Sequence, residues 1–176
     1  MREAKDILGP IDQNEMIARY VLTSRFIRKS DSTVKGGAFE ESRAGEYISV
    51  CRTDTLTEKE IWELGRDYVA RPAGKKLYGR ATLKVAEAED NKFSSFTEKE
   101  KITLLNEIPE ITDLNDIYIR VRPTPNSHPY HADIEYEPFV KGIVKHIAKK
   151  LARSALFVSP TPEHIAELCL HNTGIV

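Results

Sequence analysis

Apolar and polar residues alternate with a period of two in four segments of the chain, which is the pattern of a strand that buries one face. In residues 47–52, for example, Ile48 and Val50 point the same way. The other three segments are residues 81–85, 117–122 and 131–137. We expect each of the four to form a β-strand, and the last two to pair as a hairpin.

Apolar residues spaced three or four apart indicate helices near both ends of the chain. In residues 12–22, four apolar side chains follow a suitable N-cap, Asp12, at this spacing: Met16, Ile17, Tyr20 and Val21. This pattern predicts a short N-terminal helix. Residues 138–156 repeat the spacing over about four turns and predict the longest helix of the chain.

Capping boxes mark the starts of two further helices. Thr57 is followed three residues later by Glu60, and Thr97 by Glu100. In each pair the threonine hydroxyl can accept an amide hydrogen bond while the glutamate reaches back to the cap. We expect the first of these helices to end near residues 72–74, which include a proline and a glycine, and residues 88–96 to form a loop.

The double glycine, Gly36 with Gly37, lies in a polar stretch that is predicted to be a loop. Two adjacent glycines would let backbone amides approach a phosphate, as they do in a P-loop. The lysine and the serine or threonine that complete a P-loop are missing after them. The pair therefore favours a turn.

Strands and helices are mixed along a chain of 176 residues without a repeat or a linker, and this indicates an α+β fold. We expect a single domain over residues 1–158, with a small, mostly antiparallel sheet packed by two or three amphipathic helices. Residues 159–176 are predicted to form a C-terminal tail, either as a short helix or as loose chain.

Charge and composition narrow the classes of function. Lys and Arg number 26 against 27 Asp and Glu, so no overall field attracts nucleic acid or membranes. Cys51 and Cys169 are too few for a disulfide framework and predict free thiols. The sequence contains neither a secretory signal nor an apolar run of about 20 residues, so we expect a soluble cytoplasmic protein without membrane contact.

Most of the candidate chemistry lies in residues 120–134. If the two strands of the hairpin pair, alternation places Arg120 and Arg122 on the same face as three residues of the second strand, namely His131, Asp133 and Glu135. The interpretation that the sequence favours is a set of surface ion pairs between neighbouring strands. Each pair would contribute about 0.2–1 kcal/mol.

The second interpretation of the hairpin is a binding or catalytic site. His128 and His131 are the candidate catalytic residues, because an imidazole group titrates near neutral pH and can transfer protons. Arginines can hold a phosphate or carboxylate, and a tyrosine can stack on a base. The candidate ligand-binding residues are Arg120, Arg122, Tyr130, Asp133 and Glu135. Such a site would suit an anionic or nucleotide ligand.

The spacing of His128, His131 and Asp133 also invites a metal site. A zinc site needs a further protein ligand and supporting hydrogen bonds. Two histidines separated by Pro129 on a turn also differ from the helical pair of a metalloprotease. Since no cysteine lies nearby, we expect no metal, and nothing in the sequence predicts a cofactor.

A basic stripe runs along the predicted C-terminal helix. Its cations lie four residues apart on the polar side of the helix: Lys141, Lys145, Lys149 and Arg153. The stripe could lie against phosphates and so allows a nucleic-acid partner. A solvated helix face, with its later cations near the negative end of the helix dipole, explains the same pattern and is favoured.

A further set of residues follows the order of the catalytic residues in ADP-ribosyltransferase folds. Those folds use an arginine, a serine on a second strand and a glutamate of a Glu-x-Glu pair. This chain offers Arg25, Ser49, and Glu135 with Glu137 in that order. Because order alone matches many charged chains by chance, ADP-ribosyltransferase-like chemistry is a weaker option.

Several short stretches between about residues 17 and 155 form a recognisable pattern. They are Gly37-Ala-Phe39, Ile48-Ser-Val50, residues 56–65, Leu77-Tyr-Gly-Arg80, Pro125 and His131-Ala-Asp-Ile134, of which the last is the most specific. With these stretches the chain resembles a family of short uncharacterised bacterial proteins. The resemblance implies a bacterial origin and a single domain. It transfers no catalytic residue, and the tail from Ser159 onward is an addition to the pattern.

The sequence favours a small binding or accessory module that acts through a protein or nucleic-acid partner. Its contact surface would be the hairpin face or the basic helix. The alternative is a nucleotide- or RNA-directed enzyme, in which His128 and His131 transfer protons while Arg120 and Arg122 hold the anion. This alternative requires the four side chains to converge on one cleft.

Overall fold

The computed structural model describes residues 9–40, 47–90, 96–107, 118–124, 128–137, 141–162 and 164. Six strands form one sheet: β1 Met16–Val21, β2 Tyr47–Arg52, β3 Gly79–Lys84, β4 Tyr118–Pro123, β5 His131–Glu137 and β6 Leu156–Val158. They lie in the order β4-β5-β2-β1-β3-β6, and every neighbouring pair is antiparallel. The predicted α+β class is confirmed.

Four α-helices accompany the sheet in the part of the chain that is described: α1 Glu58–Leu64, α2 Val85–Glu89, α3 Glu98–Glu107 and α4 Lys141–Ser154. α1 continues into a π-helical turn over Gly65–Ala70. Both capping boxes are confirmed, because the hydroxyls of Thr57 and Thr97 accept the amides of Glu60 and Glu100, each at 3.3 Å. None of the described helices is long and apolar enough to cross a membrane.

The four strands predicted from alternation are confirmed as β2 to β5, but the helix predicted over residues 12–22 is wrong. Residues 16–21 form β1, which lies inside the sheet between β2 and β3. Both faces of β1 are covered, so that Ile17 and Ala18, which point to opposite faces, are both 0% exposed. A strand buried on both faces loses its period of two, and its apolar spacing then resembles that of a helix.

Short elements account for the remaining differences. α2 includes Val85, which was predicted as the last residue of the strand over residues 81–85, and the first two residues of the predicted loop over residues 88–96. β6 follows directly after α4 and spans three residues, which are too few for an alternating pattern. Most of the predicted C-terminal tail, residues 163 and 165–176, lies outside the described residues, as do residues 138–140 of the predicted long helix.

The main hydrophobic core lies on one face of the sheet. Apolar side chains that point to this face, such as Val50 of β2 and Ile134 of β5, pack with the buried side of α4, which includes Ile143 and Ile147. All four of these side chains are at most 2% exposed. The amphipathic pattern of α4 is therefore explained by its contact with the sheet.

The second face of the sheet is covered by α1 only over β1 and β3. Tyr20 of β1 donates its hydroxyl to the carbonyl oxygen of Ile61 at 2.5 Å, and Arg80 of β3 donates to Glu58 at 2.8 Å. Gly65 allows this close contact, because a Cβ there would lie 2.4 Å from the Tyr20 ring. No described helix covers this face over β2, β5 and β4. The polar side chains of these strands therefore lie beside α1 without a helix above them.

Candidate functional site

A cleft opens where the sheet splits between β1 and β2. These strands pair at two positions, Ile17 with Arg52 and Ala18 with Cys51, whereas β1 and β3 pair at six. Beyond these pairs the two strands diverge, and a cavity of about 350 Å³ lies on the open side of the sheet. The polar and aromatic residues of its wall include Arg19, Ser49, Cys51, Tyr68, His128 and His131.

Arg19 spans the gap between the diverging strands. Its Nη1 donates to the carbonyl oxygen of Ser49 in β2 at 2.8 Å, and its Nε donates to the carbonyl oxygen of Ala38 at 3.1 Å. These bonds satisfy backbone acceptors that β1 itself does not reach. Burial lowers the pKa of Arg19, and the charge of Asp133 is among those that oppose this shift. The cleft therefore contains a fixed cation.

Thr124 holds the ring of His131 in one orientation. Nδ1 of His131 lies 2.7 Å from the carbonyl oxygen of Thr124 and 2.8 Å from its hydroxyl oxygen. Since a carbonyl oxygen can only accept, Nδ1 carries a proton, and the lone pair of the neutral ring is on Nε2. Within the described residues Nε2 makes no hydrogen bond, so it is the nitrogen that remains for a ligand.

Asp133 lies beside His131 on the same face of β5. The hydroxyl of Thr124 donates to Oδ2 of Asp133 at 2.8 Å. The other oxygen, Oδ1, is buried, has no hydrogen bond from the described residues and lies 3.7 Å from Nε2 of His131. This distance is too long for a direct hydrogen bond, but it is short enough for the carboxylate to stabilise a positive charge on the ring.

His128 and Cys51 form a buried pair in the wall of the cleft. His128 is 6% exposed, and its Nε2 lies 3.5 Å from Sγ of Cys51. Burial, and to a smaller extent the nearby His131, lowers the pKa of His128 to about 4. Burial also raises the pKa of Cys51 to about 12. At neutral pH both groups are therefore uncharged, so Cys51 is not an activated nucleophile and His128 is poorly suited to its predicted proton transfer.

Tyr68 supplies an aromatic wall. It lies in the π-helical turn after α1 and is 50% exposed. Its ring centroid lies 5.7 Å from that of His128, which in turn lies 5.6 Å from that of His131. An exposed ring beside a cavity can stack on a planar ligand. The two histidines thus converge on the cleft, as a site on the hairpin would require.

The two predicted arginines lie beside the cleft and do not line it. β4 and β5 pair with Arg120 opposite Glu135 and Arg122 opposite Asp133, which confirms the predicted common face. Nε of Arg122 forms an ion pair with Glu135 at 2.9 Å, and the guanidinium of Arg120 lies 4.5 Å from the ring centroid of Tyr118. The predicted surface ion pair is therefore found at Arg122. Neither arginine lines the cleft, so the two do not hold an anion there as the enzyme alternative requires.

Tyr130 also lies away from the cleft wall. It is partly buried, and its side chain packs against the small apolar cluster beneath α1. Its carbonyl oxygen accepts a hydrogen bond from the Arg52 amide at 2.8 Å. The stacking role predicted for Tyr130 is better served by the more exposed Tyr68.

The basic stripe on α4 faces solvent on the other side of the sheet. Lys145, Lys149 and Arg153 are exposed, as the pattern predicts. The side chain of Lys141 lies outside the described residues. Arg153 is in the last turn of α4, where a cation stabilises the helix dipole.

The other two chemical options find less support. Arg25 lines a separate cavity with Lys75 and Lys76, apart from the cleft that contains Ser49. The arginine, serine and glutamate of the ADP-ribosyltransferase comparison therefore do not share one cavity. Among the described residues, no group of three or more His, Cys, Asp or Glu side chains could hold a metal ion.

Arg19 and Tyr68 are two cleft residues that the sequence does not identify as part of a site. Both are far along the chain from residues 120–134, and only the topology brings them to the histidines. The position of Arg19 could have indicated a functional residue, because it is the single charged residue in the largely apolar run of residues 16–22. Tyr68 follows the helix that starts at Thr57 and resembles any surface tyrosine in the sequence.

Comparison with known proteins adds no function to this geometry. No family model, no curated protein and no solved structure matches the chain. The resemblance to short bacterial proteins stays a prediction. Any function of the cleft must therefore be inferred from the residues that line it.

Proposed function

We propose that this chain binds a small anionic ligand of the nucleotide class in the cleft between β1 and β2, and transfers a proton to or from it through His131. The observation that carries the proposal is the contact of His131 Nδ1 with the Thr124 carbonyl oxygen at 2.7 Å. A ring held in this way offers one nitrogen, Nε2, for acid–base chemistry. This function corresponds to the enzyme alternative predicted from the sequence, except that Arg19 takes the anion-binding role predicted for Arg120 and Arg122.

The lining of the cleft supports an anionic, ring-bearing ligand. Arg19 supplies a fixed cation, and Tyr68, with half of its surface exposed, supplies an aromatic face. Arginine binds phosphates and carboxylates, and aromatic rings stack on bases without strong sequence preference. The cavity volume of about 350 Å³ lies within the usual range for small-molecule sites, roughly 300–1,000 Å³.

The proposed reaction is hydrolysis of, or transfer from, an ester bond of the ligand. Nε2 of His131 accepts a proton from a water molecule or hydroxyl group as its oxygen attacks the ester. Asp133, whose Oδ1 lies 3.7 Å from Nε2, stabilises the resulting positive charge on the ring. The proton then passes from Nε2 to the leaving oxygen as the ester bond breaks, so the ring returns to its starting form.

A binding module without turnover is the second candidate, and the exposed cations of α4 favour it. Lys145, Lys149 and Arg153 offer a contact surface for an acidic protein or a nucleic acid on the side of the sheet opposite to the cleft. In this case the α4 cations, and not His131, would determine partner binding. Substitutions at the two surfaces therefore separate the candidates.

Titration with mononucleotides tests the binding step. The four common ribonucleoside 5′-monophosphates are each compared with the matching nucleoside by ¹H–¹⁵N NMR at constant ionic strength. We expect the nucleotides to bind at least about tenfold more tightly, because a charge-assisted bond to Arg19 is added. The largest shifts are expected at Tyr68 and His131. Equal affinities, or shifts confined to residues away from the cleft, would contradict the proposal.

Variants of His131 test the proton transfer separately from binding. Products formed from short RNA oligonucleotides and from mononucleotides are separated by chromatography. His131→Gln is expected to keep nucleotide binding and to lower turnover at least about 100-fold. His146→Gln, on α4 and away from the cleft, is the matched control. Binding with no turnover in the unsubstituted chain favours the binding module, and unchanged turnover in His131→Gln rules out the acid–base role.

A further inference from the structure

A further cavity lies where the double-glycine turn meets α4, on the opposite side of the sheet from the cleft. Its volume is about 410 Å³, and we name it the basic pocket. Four cations and one carboxylate line it together with the two glycines: Arg28, Lys35, Lys149, Arg153 and Glu40. Residues far apart in the sequence thus place an excess of positive charge around one cavity.

The packing of the turn explains why these cations meet. A Cβ on Gly36 would lie 3.2 Å from the backbone nitrogen of Lys149, and a Cβ on Gly37 would lie 2.6 Å from the ring of Phe26. Only residues without a Cβ let the turn approach both neighbours so closely. The double glycine therefore brings the segment that carries Lys35 onto α4, beside Lys149.

A short antiparallel backbone pairing positions Arg28 and Lys35 in the wall of the pocket. Ile27 and Val34 form an isolated antiparallel bridge, and the backbone amide of Lys35 donates to the carbonyl oxygen of Phe26 at 2.7 Å. Arg28 and Lys35 follow the two bridge residues and line the pocket together. The backbone therefore fixes the positions from which the side chains of Arg28 and Lys35 extend into the pocket wall.

The basic pocket carries an excess of positive charge. Within the described residues, none of Arg28, Lys35, Lys149 and Arg153 forms an ion pair, and Glu40 is the one carboxylate among the lining residues. An anion in the pocket would balance this excess of positive charge.

We propose that the basic pocket binds the terminal phosphate of a phosphomonoester. Two arginines can grip phosphate oxygens in pairs, and two lysines add point charges, which suits a compact dianion with three free oxygens. The pocket surrounds one position, whereas the backbone of a nucleic acid would need cations in a row. Lys145, the exposed cation one helical turn before Lys149, lies outside the pocket.

NMR titration with inorganic phosphate tests the site, with the amides of Gly36 and Gly37 as reporters. Ionic strength is held constant with chloride. We expect saturable shifts at these amides, and Lys149→Gln and Arg153→Gln are each expected to weaken binding about tenfold. Lys145→Gln removes an equal charge from the same helix and is expected to change the affinity less than about twofold. Equal losses in all three variants, or no saturable shift, would overturn the proposal.

A pair of dinucleotides identifies the source of the phosphate. A 5′-phosphorylated dinucleotide carries a terminal monoester, and its unphosphorylated counterpart carries only the internal diester. The proposal predicts at least about tenfold tighter binding of the phosphorylated form at the glycine reporters, with that advantage lost in Lys149→Gln. Equal binding of the two forms would assign the pocket to backbone phosphates instead and would overturn it. Binding in the cleft is measured separately from the shifts at Tyr68. The proposal for either site can therefore be contradicted without affecting the other.

Discussion

Thr124 and His131 face each other where β4 ends and β5 begins, and the carbonyl oxygen of Thr124 lies 2.7 Å from Nδ1 of His131. The amide of Thr124 also donates to the carbonyl oxygen of His131 at 3.0 Å, so the backbone of the hairpin fixes both ends of this contact. The proton on Nδ1 is therefore set by the strand pairing. Nε2 is left as the nitrogen for chemistry in the cleft.

The hydroxyl of Thr124 should stabilise this arrangement measurably. It donates to Oδ2 of Asp133 at 2.8 Å, and Thr124→Val would leave that buried oxygen without its donor. We expect the free energy of unfolding to fall by about 1–2 kcal/mol, measured by urea denaturation. Thr103→Val is the matched control, because its hydroxyl donates to the Lys99 carbonyl oxygen of its own helix and has no other partner among the described residues. Similar losses in both variants would contradict the role of Thr124.

His128 should make the fold less stable at acid pH. Its pKa is about 4 in the folded chain, against an ordinary value of 6.5. Between these two values the unfolded chain binds a proton that the folded chain does not. The free energy of unfolding should therefore fall by about 3 kcal/mol from this group as the pH is lowered from about 7.5 to 4, and this contribution should not change with pH above about 7.5.

The variant His128→Gln isolates this contribution, because glutamine does not titrate while the other groups remain. Urea denaturation of both proteins is compared at several pH values. The difference in unfolding free energy between them should change with pH below about 7.5 and be constant above it. Parallel curves over the whole range would show that His128 is not buried as a neutral ring.

Cys51 should react slowly with thiol reagents in the folded protein. Burial raises its pKa to about 12, so the thiolate that attacks such reagents is scarce. In a Cys169→Ser background, we expect the reaction with a disulfide reagent at pH 8 to be at least about 100-fold slower in the folded chain than in urea. A folded-state rate close to the unfolded one would identify an activated thiol and would bring Cys51 into the chemistry of the cleft.

Arg19 should contribute to stability and to ligand affinity. Arg19→Leu leaves the carbonyl oxygens of Ala38 and Ser49 without their donors, and we expect a loss of about 2–3 kcal/mol in unfolding free energy. Arg19→Lys keeps the charge but can replace fewer of these bonds. It should therefore be less destabilised and retain part of the preference for nucleotides over nucleosides. Equal nucleotide affinity in Arg19→Leu and in the unsubstituted chain would exclude Arg19 from the site.

The elements predicted from sequence were those whose signals are local. Alternation identifies β2 to β5 because each has one buried face, and capping boxes identify α1 and α3 because their hydrogen bonds span three residues. β1 gives no such signal, since its position in the middle of the sheet buries both Ile17 and Ala18. Only its neighbours decide that this segment is a strand.

Of the candidate site, the sequence predicts only the residues that lie on the β4–β5 hairpin. His131, Asp133 and their common face follow from alternation in residues 131–137, but the burial that makes His128 neutral depends on contacts with Cys51 and Tyr68. Arg19 reaches the cleft because β1 and β2 diverge, and no pattern within either strand encodes this divergence. Contacts between distant segments are decided by topology, which a single sequence does not display.

The NMR signals of the His131 ring nitrogens, recorded with and without a mononucleotide, test the central claim most directly. In the free protein we expect a protonated Nδ1, because the Thr124 carbonyl oxygen lies 2.7 Å from it. Addition of nucleotide should shift Nε2 and leave the Nδ1 proton in place. A neutral ring with its proton on Nε2, or ring signals that do not change while the nucleotide binds, would contradict the proposed role of His131.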